Sequence, residues 1–263
     1  MKSFTHVSFA ARVVFGAGSV ARLPQEVEKL GARRALVLST PGRAADVQRL
    51  AATLGDRCAG LYDKAVRHVP LEVAEDARRA ARELGADCCV AVGGGSTIGL
   101  GKAIALTTGM PVLAVPTTYS GSEMTWVQGF TDGGRKRTQV DPKMLPKTVI
   151  YDPELTLGLP AATSAASGMN AIAHCVEALY AKEANPIVSL MAEEGIRALA
   201  ASLPLIVRNP RDREARGEAL YGAWLAGMSL NAGIAQHHKL CHTLADTWNL
   251  PHAETHAIVL PHA

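Results

Sequence analysis

The chain has 263 residues and a formal net charge of +3, with 48% hydrophobic and 19% charged side chains, the make-up of a soluble globular protein with an ample core. Its basic residues are scattered, with no Lys/Arg stripe interleaved with aromatics, which argues against a nucleic-acid partner. No apolar run approaches the roughly 18 residues that a membrane span needs, and the opening Met1-Lys2-Ser3-Phe4-Thr5-His6 lacks the apolar stretch of a secretory leader, so the expected location is the cytoplasm, with no membrane partner.

Residues 4–15 alternate well enough for one or two strands, and Gly16-Ala17-Gly18-Ser19 turns into an expected helix over 20–30. Residues 35–39 form the short apolar run of a buried parallel strand. A helix over 46–54, a strand over 58–61 and an amphipathic helix over 73–84 follow, the last with Ala77, Ala80, Ala81 and Leu84 on its inner face. Then come a buried strand (88–92), a helix (97–107) and a strand (112–115). Residues 125–151, with Gly133-Gly134 and apolar runs at Val127 and Val149-Ile150-Tyr151, read as a hairpin and a returning strand. From Leu159-Pro160 onward the pattern is helical, over 164–181, 187–201, 214–227 and 232–244. The expected fold is an α/β N-terminal domain over 1–160, with a mainly parallel, Rossmann-like dinucleotide-binding sheet, followed by an all-α C-terminal domain over 161–263.

Five cysteines (Cys58, Cys88, Cys89, Cys175, Cys241) form no C-x-x-C pair, which fits reduced thiols in a cytoplasm. Cys241 reads as a small buried hydrophobe rather than a reactive thiol.

Two glycine turns compete for a nucleotide. Gly16-Ala17-Gly18-Ser19-Val20-Ala21 fits G-x-G-x-x-A, but the next strand ends Leu38-Ser39-Thr40 without the acid that a Rossmann ribose contact wants, so a plain strand–helix turn is the better reading. Gly93-Gly94-Gly95-Ser96-Thr97 follows a buried strand and enters a helix, with Ser96 or Thr97 as cap. There the backbone can approach a pyrophosphate and free N–H groups can receive it. The next strand ends in Pro116-Thr117-Thr118-Tyr119-Ser120-Gly121-Ser122-Glu123, a second polar turn suited to the same crevice.

Histidines gather in residues 236–256. If residues 233–244 are helical, His238 and His242 share a face four residues apart, and a chain reversal at Pro251 could return His252 to them. Asn170 and His174 make a second such pair on an upstream helix. These are the raw material of a polar pocket or a metal site.

The residues Gly93-Gly94-Gly95-Ser96, Pro116-Thr117-Thr118 with Gly121-Ser122-Glu123, residues 141–147, and Asp152-Pro153-Glu154-Leu155 resemble the iron-containing alcohol dehydrogenase superfamily. Residues 167–174, His237-His238-Lys239-Leu240-Cys241-His242, residues 250–256 and Leu260-Pro261-His262-Ala263 are similar to its maleylacetate reductase branch. The resemblance covers essentially the whole chain. It implies an active site in a cleft between a dinucleotide-binding domain and a helical one. Metal-dependent relatives hold iron or zinc with one Asp and three His, positions that fall here on Asn170, His174, His238 and His252. Asn170 replaces the acid, and a neutral amide is a poor ligand for these ions, so no metal is expected.

For this branch the resemblance implies NAD(P)H-dependent reduction of a dicarboxylate, with His238, Lys239 and His242 as catalytic residues and Asn170, His174, His237 and His252 as substrate contacts. The pyrophosphate is expected on Gly94, Gly95, Ser96 and Thr97, and the nicotinamide half on Thr117, Thr118, Ser122 and Thr125. Ser39 stands where many relatives carry an acid that repels a 2′-phosphate, and Arg43 is near. NADH is expected, with NADPH use left open, and a homodimer is compatible with the resemblance. Two rivals remain: a metal-dependent alcohol or hydroxyacid dehydrogenase that tolerates Asn170, and an inactive nucleotide-binding fragment. The second arises because relatives continue for about a further domain's worth of helix beyond Ala263, so the helical domain is expected to be incomplete.

Overall fold

A computed structural model describes residues 4, 6, 11–67, 69–132, 135–248 and 250–263. The first of two compact units comprises Ala10–Thr117 and Ser122–Asp152. Its elements are β1 (Arg12–Phe15), α1 (Leu23–Lys29), β2 (Ala35–Leu38), α2 (Ala44–Ala52), β3 (Cys58–Tyr62), α3 (Leu71–Glu83), β4 (Cys88–Gly93), α4 (Gly95–Thr108), β5 (Val112–Pro116), β6 (Val127–Asp132), β7 (Arg135–Val140) and β8 (Thr148–Tyr151). Six strands form one sheet in the order β1-β8-β5-β4-β2-β3, every pair parallel. β2, β4, β5 and β8 are buried along their whole length, which is why they read as continuous apolar runs rather than alternating ones.

β2 leads on to β3 in one direction across the sheet, whereas β4 leads through β5 to β8 in the other. The reversal falls between β2 and β4. In open α/β sheets that is where the carboxyl ends of the strands leave a crevice for a ligand. β6 and β7 form the expected antiparallel hairpin, whose Gly133-Gly134 turn lies outside the described residues, as does part of the expected strand before β1.

The second unit is built mainly from Thr118–Gly121 and Pro153–Ala263. It contains α5 (Ala161–Tyr180), α6 (Pro186–Arg208), α7 (Arg213–Ser229), α8 (Gln236–Trp248) and α9 (His252–Val259). α6 and α7 approach closely at two glycines: a Cβ on Gly222 would lie 2.7 Å from Leu199 Cγ and 3.1 Å from Gly195 O. The fully buried Arg216 of α7 donates to Tyr119 Oη (3.1 Å), Ser164 Oγ (2.7 Å) and Leu159 O (2.8 Å), anchoring the Thr118–Gly121 turn within this unit.

Three expectations need correction. Residues 20–30 divide into a short 3-10 turn and α1, with Pro24 in the first turn of α1. The cap of α4 is Gly94, with Ser96 and Thr97 inside the first turn. The last expected helix begins later and runs on through residues 244–248, and α9, unforeseen, starts at His252 after Pro251. Among the described residues, no helix is long and apolar enough to cross a membrane.

Candidate active-site residues

In the α/β unit, Thr117 N–H donates to Gly93 O (3.0 Å), joining the ends of the two central strands. A Cβ on Gly93 would overlap the Thr97 hydroxyl, so only glycine lets β4 turn this tightly into α4. α4 has no acid in its first turn and no side-chain cap, which leaves its leading amides for an anion. Thr97 Oγ1, fully buried at that turn, has no hydrogen-bond partner. Glycine cradle, uncapped helix start and orphaned hydroxyl suit a pyrophosphate. Gly94, Gly95 and Ser96 are half-buried there.

Thr117 and Thr125 are buried, and Thr118 and Ser122 half-buried. Sequence reasoning missed what holds the last of these segments. Lys102, fully buried on α4, donates from Nζ to Ser122 O (2.5 Å), Ser122 Oγ (3.2 Å), Thr125 Oγ1 (2.9 Å) and Val127 O (3.0 Å). Burial pulls its ammonium down to about 7, against the opposing charge of Glu123. A lysine within an otherwise apolar helix was the available signal. Ser39 is fully buried at the end of β2, its hydroxyl donating to Thr40 O (3.1 Å).

The other glycine turn is occupied by the chain itself. Gly18 N–H and Val20 N–H donate to the Asp152 carboxylate at 3.1 and 3.0 Å. This supports the strand–helix-turn reading of Gly16-Ala17-Gly18.

In the helical unit, α5, α8 and α9 bring their imidazoles together. His242 lies 6.0 Å from His238 and 5.5 Å from His252 between ring centroids, so the reversal at Pro251 does return His252 to α8. His174 and His238 stack at 4.0 Å with planes 19° apart, and Asn170 Nδ2 is 3.5 Å from His174 Nε2. His237 is buried, and its Nε2 lies 3.0 Å from His256 Nδ1. Lys239 is not brought to the cluster. It is exposed and lines a cavity of about 670 Å³ with Tyr180, Ile234, Leu240 and Thr243.

The carboxylate of this cluster was also missed. Glu177, one turn beyond His174 on α5, accepts from the His238 backbone N–H (2.9 Å) and contacts His238 Nδ1 at 2.5 Å, both side chains being 1% exposed. Burial works against the Glu177 carboxylate, but these hydrogen bonds outweigh it and hold the group below its usual range. The carboxylate fixes the His238 proton on Nδ1, leaving Nε2 buried without a partner. Burial, then neighbouring imidazoles, push His174 well below the usual histidine value, and His237 and His256 shift the same way for the same leading reason. These three rings are neutral near pH 7.

The family's iron site fits poorly. Asn170 offers an amide in place of a carboxylate. Imidazole lone pairs lie in the ring plane, and two near-parallel rings 4.0 Å apart do not aim them at one ion. Among the described residues, two groups of three ligating side chains have their atoms within 4.8 Å of one another: His237, Cys241 and His256, and His242, His252 and His256. Neither contains His174 or His238.

Residues 10–153 match the model of the iron-containing alcohol dehydrogenases, and residues 164–263 that of the family's C-terminal region. The chain is 56% identical to a maleylacetate reductase of Burkholderia cepacia, covering 100% of this chain and 75% of that protein. It is 60% identical to one from Sphingobium indicum, covering 99% and 74%. A crystal structure of maleylacetate reductase from Agrobacterium tumefaciens superposes with a TM-score of 0.98 at 54% identity, over 100% of this chain and 75% of that one. The chain belongs to the iron-containing alcohol dehydrogenase family and, within it, groups with the maleylacetate reductases.

Proposed function

We propose that the chain reduces the carbon–carbon double bond of maleylacetate to 3-oxoadipate with NAD(P)H and without a metal, as a step in the breakdown of aromatic compounds in the cytoplasm. The names of its relatives support the substrate, and the cradle at Gly93 to Thr97 supports the dinucleotide. The observation that carries the metal-free reading is the cluster itself: an amide at Asn170, stacked His174 and His238, and a carboxylate spent on His238 rather than on an ion.

When bound, the cofactor supplies a hydride to the alkene carbon β to the ketone. The chain's task is then to neutralise the enolate oxygen and to protonate the α carbon. His238 and the half-buried His242 are assigned to these two roles, His238 donating from Nε2 as an imidazolium whose Nδ1–H is held by the Glu177 carboxylate. Asn170, His174 and His252 are assigned to the substrate's carboxylates and ketone, His174 donating as a neutral ring. Gly94, Gly95, Ser96 and Thr97 hold the pyrophosphate, and Thr117, Thr118, Ser122 and Thr125 the nicotinamide half. Ser39 in place of an acid leaves NADPH acceptable beside NADH.

The test is the absorbance of NADH with maleylacetate, with and without a chelator. Turnover that persists in chelator is expected, and His242→Ala is expected to lose about 100-fold or more in kcat. Activity abolished by the chelator and restored by iron or zinc would overturn the metal-free reading, and absence of turnover with either cofactor would overturn the whole.

A further inference from the structure

The reaction above makes no use of three buried side chains of the imidazole cluster, one of which, His256, lies 4.2 Å from His238 and 4.4 Å from His252 between ring centroids. His237 and Cys241 lie one helical turn apart on α8, and His256 reaches them from α9. All three are at most 1% exposed, and their ligating atoms lie within 4.8 Å of one another. His237 Nε2 stands 3.7 Å from Cys241 Sγ and 3.0 Å from His256 Nδ1. An ion with metal–nitrogen bonds of about 2.0–2.1 Å and a metal–sulfur bond of about 2.3 Å sets tetrahedral edges of about 3.3 and 3.6 Å. The observed separations are within a few tenths of an ångström of those edges.

We propose that His237, Cys241 and His256 form a three-ligand site for a borderline-soft divalent cation of the Zn2+ type, which ties α8 to α9 and takes no part in the reduction. The ligand set is chemically apt: one thiolate and two imidazoles select such an ion over magnesium or calcium. It is also distinct from the four positions that hold metal in relatives, since it shares none of Asn170, His174, His238 and His252. Binding balances as follows. The Cys241 S–H proton leaves to solvent, and the sulfur lone pair forms the metal bond. His256 ligates through Nδ1 in the tautomer that carries its proton on Nε2, an atom that is buried and without a partner. His237 ligates through Nε2 in the tautomer that carries its proton on Nδ1. A water completes the fourth position.

The test is optical and needs no turnover. Co2+ is added anaerobically to the reduced chain, and the spectrum is read for an intense near-ultraviolet thiolate-to-cobalt band together with visible bands of tetrahedral cobalt. Both are expected, bleached by one equivalent of Zn2+, and with Zn2+ the Tm rises. Cys241→Ser should abolish the thiolate band, and His256→Gln should weaken cobalt affinity at least tenfold. His174→Gln, which removes a position of the family's own metal set, should leave the band in place. Cobalt that binds without a thiolate band, a band that survives Cys241→Ser, or no binding at all would overturn the site. Because maleylacetate is absent from the assay, failure here is read separately from failure of the proposed reaction.

Discussion

The turn after β1, Gly16-Ala17-Gly18-Ser19, and the turn after β4, Gly93-Gly94-Gly95-Ser96, both set glycines between a parallel strand and a helical start. Either could cradle a phosphate by sequence alone. In the structure the first is filled: the amides of Gly18 and of Val20 just beyond it point at Asp152, a carboxylate that the β8 strand brings back from 134 and 132 residues away. The second turn lies at the end of a central strand beside the point where the strand order reverses, and the buried Thr97 hydroxyl there has no protein partner. A glycine turn thus advertises amides, but the sheet decides whether the chain itself has already taken them. β1 is an edge strand whose neighbour β8 carries its own counter-ion; β4 is flanked by β2 and β5 and faces the crevice.

The contrast can be broken most severely at Gly93. Gly93→Ala puts a methyl into the Thr97 hydroxyl, so the strand-to-helix turn must open where the pyrophosphate is expected. NADH affinity should fall by at least about 100-fold, or nearly 3 kcal/mol, in a fluorescence or calorimetric titration. Next in size is Asp152→Ala. It leaves the amides of Gly18 and Val20 unpaired in a side chain's former place, and should cost about 2 kcal/mol in denaturant unfolding while NADH affinity stays within twofold. An Asp152 variant that lost NADH as Gly93→Ala does would show that the first turn is not the filled one.

Much of this was legible before the structure. The runs at 35–39, 88–92 and 112–115 gave buried parallel strands because strands covered on both faces carry no polar alternation. The i,i+4 spacing of Asn170 with His174, and of His238 with His242, placed each pair on one helix face. What escaped had partners remote in sequence. Glu177 is one acid on a long helix until α8, 61 residues later, lays His238 against it. Lys102 looks like a misplaced cation until the turn after β5 folds four acceptors over it. Lys239 carries the opposite lesson: it stood beside His238 among the expected catalytic groups, yet one step along a helix turns a side chain by about 100°, and Lys239 lines a cavity with Tyr180 and Thr243.

Thr97 sharpens the comparison at the scale of a single hydroxyl. Thr97→Val removes the orphaned oxygen while keeping the shape of a fully buried side chain. With no protein partner to lose, the fold should be unharmed or slightly stabilised. If a bound phosphate supplies the partner, NADH affinity should drop about tenfold, the 1.4 kcal/mol of one hydrogen bond to a charged group. Unchanged affinity would place the pyrophosphate elsewhere.

Gly18→Ala is the smallest effect and isolates the backbone. Gly18 has φ 71° and ψ 4°, and no atom lies within 4 Å of where a Cβ would stand. The methyl therefore meets nothing, and the N–H to Asp152 is kept. What remains is the left-handed conformation, about 1–2 kcal/mol for an L-residue, offset by about 0.4–1 kcal/mol because alanine restricts the unfolded chain. A net destabilisation of about 1.5 kcal/mol or less in denaturant unfolding, with NADH affinity unchanged, is the expected result. The same Gly-to-Ala change thus separates the turns by mechanism: at Gly18 it costs conformation and leaves the ligand alone, whereas at Gly93 it costs the ligand through a collision.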